Sequence, residues 1–495
     1  MERPFNTGRL LDRAVPAALL IVTLLVLLRT MVPTFYTGDS GEFVIGAKTL
    51  GIVHAPGYPL YLLLLHLFLQ LPYDTGWLAN LFSTLCLAFT APVLYLALRQ
   101  LVPMGVSACA TLIFIWSYYI WVNGLYAEIY TPQILALAVC LLLGVRLLRT
   151  SPPSSRLSLA LGAVFGLAAA LNPTSLFFVP GMIVLYRAAR IPWRWCITAG
   201  IVAAIVFLVP LLYFPLRYSP ALPLNLAGNF DHVGVFQPVD LRTLEGILWM
   251  LSGQQFNDLF FADGLLPSPA QLIEVVRLYL SNFLGFGFVL GLIGLGSLFR
   301  QCRRGFWLWL AFFLPVTAFY TTYGASDKAF MFGTSFLVWA VALGFGLRWL
   351  TEQIPGRWRS VVLVGMPLIL LVVNFPLLDL SHDTSVRERS EQFMAAAPED
   401  ALVFGQWTQI VPLQVLHILE TQRSDLTLYN LFQFPTGNAS ALIERALSDG
   451  QTVLVLDDAM PDFLDHRQFT FRRLMGSAGE DDSPHNMDVI QVFLR

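Results

Sequence analysis

Apolar residues run in blocks along the first 380 positions, separated by short polar breaks. The blocks lie near residues 15–32, 78–98, 105–122, 130–148, 157–171, 174–186, 195–214, 271–299, 306–321, 330–348 and 360–378. A spanning helix needs roughly 20 apolar residues, so the pattern predicts about eleven transmembrane helices. A further block at 59–71, about 13 residues between Pro59 and Pro72, is too short to cross and predicts a juxtamembrane helix in the first outer loop.

Parity tests that assignment. If 59–71 does not cross, Arg99, Arg146, Arg149, Arg156, Arg187, Arg190, Arg194, Arg300, Arg303, Arg304, Arg348, Arg357 and Arg359 all face the cytoplasm. If it crosses, nearly all of them lie outside. The first block, preceded by Arg3, Arg9 and Arg13 and followed by no small-residue cleavage site, is read as an uncleaved helix with its N-terminus inside.

From about residue 380 charged positions become frequent. Strand-like runs at 401–406, 426–431, 452–457 and 489–494 alternate with helical patterns at 410–422 and 439–447. The expected organisation is a membrane domain, 1–379, and a small extracytoplasmic α/β domain, 380–495. Asp457 and Asp458 end a strand, but no glycine-rich phosphate loop accompanies them, and no chemistry is assigned there.

Composition agrees with the pattern and narrows it. Of 495 residues 56% are hydrophobic and 13% charged, and the mean hydropathy is +0.65, which excludes a soluble globular protein. Lys48 and Lys328 are the only lysines, and no basic patch asks for nucleic acid. Cys86, Cys109, Cys140, Cys196 and Cys302 have neither disulfide-framework nor zinc spacing, so no metal and no cofactor is expected.

The topology leaves the unusual polar residues in the outer loops: Asp39, Glu42 and His54; Asn123 and Glu128; Asn172; the segment 217–242; and the segment 323–328. A carboxylate beside the membrane suits general-base activation of an acceptor hydroxyl, and Asp39 is the first candidate, with Glu42 three residues on. The alternative for this pair is a helix cap and capping box. His54 either meets a phosphate or sugar, or packs as a structural histidine. Glu128 is a costly ionisable group at the membrane edge, or an acid at a helix start. Arg217 breaks the positive-inside pattern and with Lys328 forms an expected anion clamp; lipid snorkelling of Arg217 and pairing of Lys328 with Asp327 are the alternatives.

Several stretches resemble one family: Gly38-Asp39-Ser40-Gly41-Glu42, the segment 54–61, Ala127-Glu128-Ile129-Tyr130, Tyr213 to Arg217 with Pro223-Leu224-Asn225, and 244–249 with Ser252-Gly253-Gln254-Gln255-Phe256. In the outer segment Ala401-Leu402-Val403-Phe404 and Gln422-Arg423-Ser424-Asp425 carry it further. The sequence resembles the GT-C superfamily of polytopic glycosyltransferases, and within it the transmembrane protein 260 family of protein O-mannosyltransferases. It departs from the family at Ala55, where a second proline is usual, in a longer 225–244 segment, and at Asn172-Pro173-Thr174. The resemblance implies Asp39 as base with Glu42 and His54 beside it, and Tyr58 and Asn225 fall in stretches expected to bind substrate.

The expected activity is inverting transfer of a sugar, mannose by the resemblance, from a polyprenyl-phosphate donor to a protein, glycan or lipid hydroxyl on the outer face. A transporter or flippase of lipid-linked saccharides, or a non-catalytic binding relative, are the rivals. Arginine in place of lysine and a cysteine-free outer segment point to a bacterial inner membrane, whereas Asn438-Ala439-Ser440 would be a glycosylation sequon in an ER lumen.

Overall fold

The structure, a computed structural model, describes residues 7–494 except 220, 232, 262–263, 265, 435–438, 457–468 and 476–488. Asn438, Asp457 and Asp458 therefore lie outside the described residues.

The chain begins with α1 (Thr7–Thr30), then enters a loop in which α2 (Asp39–Thr49) and α3 (Pro59–Phe68) form. At 1.5 Å per residue, α3 is about 15 Å long, half a hydrocarbon core. Leu63, Leu64 and Leu67 point away from the protein while Tyr61, Leu62 and Leu65 are buried, as an interfacial helix requires.

The bundle follows: α4 (Thr75–Leu98), α5 (Met104–Ile115), α6 (Tyr118–Val122), α7 (Tyr130–Arg149), α8 (Ser155–Leu171), α9 (Val179–Ala188), α10 (Trp193–Leu208) and α11 (Tyr213–Arg217). An excursion from the bundle carries a hairpin of β1 (Gly228–Phe230) and β2 (Phe236–Pro238), then α12 (Leu244–Leu251). The chain returns through α13 (Pro269–Asn282), α14 (Phe286–Gln301), α15 (Arg303–Thr322), α16 (Lys328–Met331), α17 (Gly333–Gln353) and α18 (Gly356–Leu378).

Among the described residues, six helical stretches are long and apolar enough to cross a membrane: Thr75–Leu98, Tyr130–Arg149, Trp193–Arg217, Arg303–Thr322, Gly333–Gln353 and Gly356–Leu378. A seventh arises if α13 and α14 form one span, but they are bent by 109°. The bend falls where Leu284 and Gly285 both take positive φ, so a block that reads as one continuous span is two helices. The other four expected spans are shorter or broken: Ala14–Thr30, Ser155–Leu171, the α5–α6 pair, and α9 behind a 3-10 turn at Pro173–Phe178. Asn172 accepts from the Thr174 backbone and starts that turn.

Small residues set the closest helix crossings, as expected where lipid removes the hydrophobic drive between helices. Gly162 and Gly166 of α8 lie against the backbone of Ala199 and Ala203 of α10, and Gly294 of α14 faces Ala342 and Gly346 of α17. A Cβ at Gly294 would sit 1.8 Å from the Ala342 carbonyl oxygen, whereas one at Gly296 meets nothing within 4 Å. Gly294→Val is therefore expected to lower the thermal midpoint and broaden the size-exclusion peak, and Gly296→Ala to leave both unchanged.

After α19 (Ser385–Ala396) comes a five-stranded sheet of β3 (Leu402–Gly405), β4 (Thr427–Asn430), β5 (Val453–Val455), β6 (Phe469–Met475) and β7 (Val489–Leu494), in the order β4-β3-β5-β7-β6. The first three are parallel and β7 and β6 antiparallel. Helix α20 (Trp407–Leu419) links β3 to β4, and α21 (Ser440–Ser448) links β4 to β5. Strand β6 is absent from the sequence reading: Arg472 and Arg473 disguise an edge strand, where charge blunts further pairing.

One apolar core runs from the bundle into this segment, taking in Phe393, Val403, Ile410, Val411, Leu454 and Val489. A close approach couples the two parts: a Cβ at Gly41 of α2 would lie 2.9 Å from Val411 and 3.2 Å from Val415 of α20. The Arg423-x-Asp425 turn is a fold pin, with Arg423 bidentate to Asp425 (2.9 and 2.7 Å) and bonded to the carbonyls of Met394, Ala397 and Pro398.

Candidate active site

Helix α2 begins at Gly38, whose φ of 63° and ψ of −140° favour glycine. Asp39 is the first residue inside the helix and makes no capping bond. The capping-box alternative is not what forms, because Glu42 turns to the next chain segment. Its Oε1 accepts from the His54 backbone N–H at 2.7 Å, and its two oxygens lie 3.0 and 2.9 Å from His54 Nδ1. On the far side of the imidazole, Nε2 is 3.8 Å from Asp39 Oδ2. The order is Glu42, His54, Asp39, with side-chain exposures of 1%, 8% and 30%. Asp39 is thus the most exposed member of the row.

His54 is caged by rings: Phe43 at 5.8 Å, Tyr58 at 5.5 Å, Phe256 at 5.8 Å and Trp407 at 5.3 Å between centroids. Gln255 holds the turn, accepting from Ala55 N (3.1 Å) and donating to the Leu226 carbonyl (3.2 Å). Asn80 spends its amide on the loops, donating to the carbonyls of Val32 and Thr34 and accepting from Ala127 N, and Ser83 accepts from Glu128 N. These ties place Glu128 beside the group.

Electrostatics follow from burial and proximity. Burial alone would lower the His54 pKa, but the Glu42 charge, then Asp39, the Glu42 hydrogen bond and Asp327 outweigh it and raise it to about 9. Asp39 is raised, chiefly by burial; the His54 charge opposes this and Glu42 adds to it. The Trp407 indole N–H, buried without a hydrogen-bond partner, is close enough to favour ionised Asp39 but short of bonding geometry. Glu128 is raised well above an ordinary carboxyl by burial, then by Asp39 and Asp327, and its Oε2 has no partner.

The other expected site residues are distributed differently. Arg217 donates to the carbonyls of Leu50 (3.1 Å) and Thr49 (3.2 Å), closing the C-terminal end of α2. That end lies about 16 Å along the helix from Asp39, so Arg217 does not reach a phosphate beside Asp39, and the two-cation clamp is corrected. Tyr213 supports the same end through Gly51 O (2.6 Å). Lys328 pairs with Glu274 (3.0 Å), not with Asp327. Tyr58 is buried against Phe43 (5.7 Å) and His54. Asn225 sits at the bridge to Ile52, with its Oδ1 accepting from Ala227 N and its Nδ2 buried without a partner.

Asp327, Trp407 and Gln255 belong to this neighbourhood and were missed as site residues. Asp327 is raised by burial and then by Asp39. The change of hydropathy at its loop was the available signal; nothing in the sequence points to Trp407.

Ligand atoms of Asp39, Glu42 and His54 all lie within 4.8 Å of one another, a spacing that would also suit a divalent cation. In the hydrogen-bonded arrangement a proton on His54 offsets one of the two carboxylate charges.

Residues 39–193 match the family described as the protein O-mannosyl-transferase TMEM260 N-terminal domain. The chain is 31% identical over 163 residues to protein O-mannosyl-transferase TMEM260 of Mus musculus, covering 32% of this chain and 22% of that protein. The chain thus spans less than a quarter of this curated relative. Among solved structures, ArnT from Cupriavidus metallidurans bound to undecaprenyl phosphate superposes with a TM-score of 0.60 at 12% identity over 98% of each chain. The apo oligosaccharyltransferase of Archaeoglobus fulgidus gives 0.56 at 12% identity, over 90% of this chain and 69% of that one. Over residues 39–193 the chain is thus similar to the TMEM260 N-terminal domain, and as a whole it has the fold of these solved membrane-protein structures.

Proposed function

We propose that the protein is an inverting glycosyltransferase that moves a sugar from a polyprenyl-phosphate donor to an acceptor hydroxyl at the outer membrane face, with Asp39 as general base. The observation that carries this reading is the ordered Glu42–His54–Asp39 row, in which Asp39 is the most exposed member. Likeness to an O-mannosyltransferase makes mannose the first donor sugar to test, and likeness to an undecaprenyl-phosphate-bound fold supports a polyprenyl carrier.

In this mechanism Asp39 takes the acceptor proton as the hydroxyl oxygen attacks the anomeric carbon and the carrier phosphate departs with its bonding pair. A raised Asp39 is a stronger base than an ordinary carboxylate, and the His54 cation favours its ionised form. Glu128, whose neutral form is favoured by burial, donates a hydrogen bond to a sugar hydroxyl. Lys328, once released from Glu274, meets the leaving phosphate. The eleven-crossing arrangement, with residues 380–495 outside a bacterial inner membrane, belongs to this reading, and that outer segment forms a wall of the site through Trp407.

Transfer of labelled mannose from polyprenyl-phosphate mannose by purified protein in proteoliposomes tests the proposal. Movement of the intact donor across the bilayer without transfer would identify a flippase, and binding alone a silent relative. Chelation of divalent cations is expected to leave the rate unchanged, since protonated His54 already offsets one of the two carboxylate charges; loss restored by Mn²⁺ would convert the trio into a metal site. The rate is expected to rise as Asp39 ionises and to fall as pH passes about 9 and His54 loses its proton. A profile flat from pH 7 to 10.5 would remove His54 from the mechanism.

A further inference from the structure

At the opposite end of the bundle from Asp39 lies a cavity of about 380 Å³. Its walls include Leu137 and Leu148 of α7, Phe165 of α8, Leu185 of α9, Trp309 of α15 and Val341 of α17. Along α7, Leu148 is 18 residues beyond Tyr130, which flanks the Asp39 group, or about 27 Å at 1.5 Å per residue. The lining is almost wholly carbon; Gln301 and Cys302 bring its polar atoms to one end.

That end is cationic. Arg300 precedes Gln301, Arg303 and Arg304 lie between Cys302 and Gly305, and Arg146 follows Val145, all four being exposed beside lining residues. Among the described residues none of the four has a carboxylate partner. The sequence supplies none nearby either: no Asp or Glu occurs between Glu128 and Asp231 or between Glu274 and Asp327. Topology alone explains arginines on this face, but not an apolar bore opening among them.

We infer that this cavity takes one acyl chain of an anionic glycerophospholipid from the cytoplasmic leaflet, with the lipid phosphate held by Arg146, Arg300, Arg303 and Arg304. The chain gains burial inside the bundle, and guanidinium groups suit the phosphate oxygens. A polyprenyl phosphate bound here would keep its phosphate about 27 Å from Asp39, too far to serve as donor, which favours a structural lipid. The inference rests on the membrane orientation given above but not on sugar transfer, so either can fail alone.

The test is native mass spectrometry of the full chain released from nanodiscs of phosphatidylcholine with one-fifth phosphatidylglycerol. One retained phosphatidylglycerol per chain is expected in the wild type, with at least tenfold preference over phosphatidylcholine. Val341→Phe, which fills the bore, should abolish retention, and the Arg303→Gln/Arg304→Gln pair should abolish the preference. Because Val341→Phe could unfold the protein, a second measurement uses phosphatidylglycerol brominated in its acyl chains. Quenching by it should be smaller in Trp309→Phe than in the wild type by the share of this one tryptophan. Retention of phosphatidylcholine equal to phosphatidylglycerol, preferential retention of added polyprenyl phosphate, or equal quenching in the two proteins would overturn the inference.

Discussion

Asp39→Asn is expected to lower sugar transfer by about 10²–10⁴-fold, the range associated with loss of a positioned general base, while donor binding and thermal midpoint stay near wild type. The substitution keeps the shape of the side chain and removes its ability to take a proton. Asp39 caps no helix and is the most open of its three-member row, so the fold does not depend on its charge. His54 loses one of its two carboxylate neighbours and shifts down from about 9, but keeps both Glu42 contacts. The measurement is transfer of labelled sugar at saturating donor, with donor binding read separately. Asp39→Glu, which restores the carboxylate at the wrong reach, is expected to recover only part of the rate. Full transfer by Asp39→Asn would assign the base elsewhere, with Asp327 the next carboxylate to replace.

The membrane character was legible because hydropathy acts through local composition. The same logic identified the short α3, whose length alone forbids a crossing. What stayed hidden were features set by tertiary contact. The bend between α13 and α14 depends on two successive positive-φ residues, one of them Leu284, which no hydropathy plot marks. Arg217 broke a topological rule and so looked functional, yet its exceptional position serves the carbonyls at the end of α2. Glu42 fitted a capping box at helical spacing, and its actual partner, His54, lies twelve residues on across a turn. Trp407 comes from the far end of the chain and reaches the site only because α2 packs on α20 at Gly41.

Glu42→Gln is expected to cost more stability than any other single change in the row. Glu42 is buried to 1% and receives both the His54 backbone N–H and the imidazole. A glutamine oxygen can still accept one of these bonds, but its amide cannot accept the imidazolium proton and carries no balancing charge. Breaking one side of a buried ion pair typically costs about 3–5 kcal/mol, and the loss has a pH signature. The folded-state His54 pKa, about 9, lies above its ordinary 6.5. Its contribution is therefore complete below pH 6.5 and disappears as pH rises through about 9. The gap in thermal midpoint between wild type and Glu42→Gln should be wide at pH 6 and narrow at pH 10, and comparing the two proteins cancels the titration of distant groups. The double variant Glu42→Gln/His54→Asn should lose less than the sum of its single changes, because removing both charges leaves neither buried alone. A gap independent of pH, or strict additivity in that cycle, would mean that Glu42 holds the turn through the His54 backbone alone. The imidazole would then be neutral, and Asp39 would lack the cation that favours its ionised form.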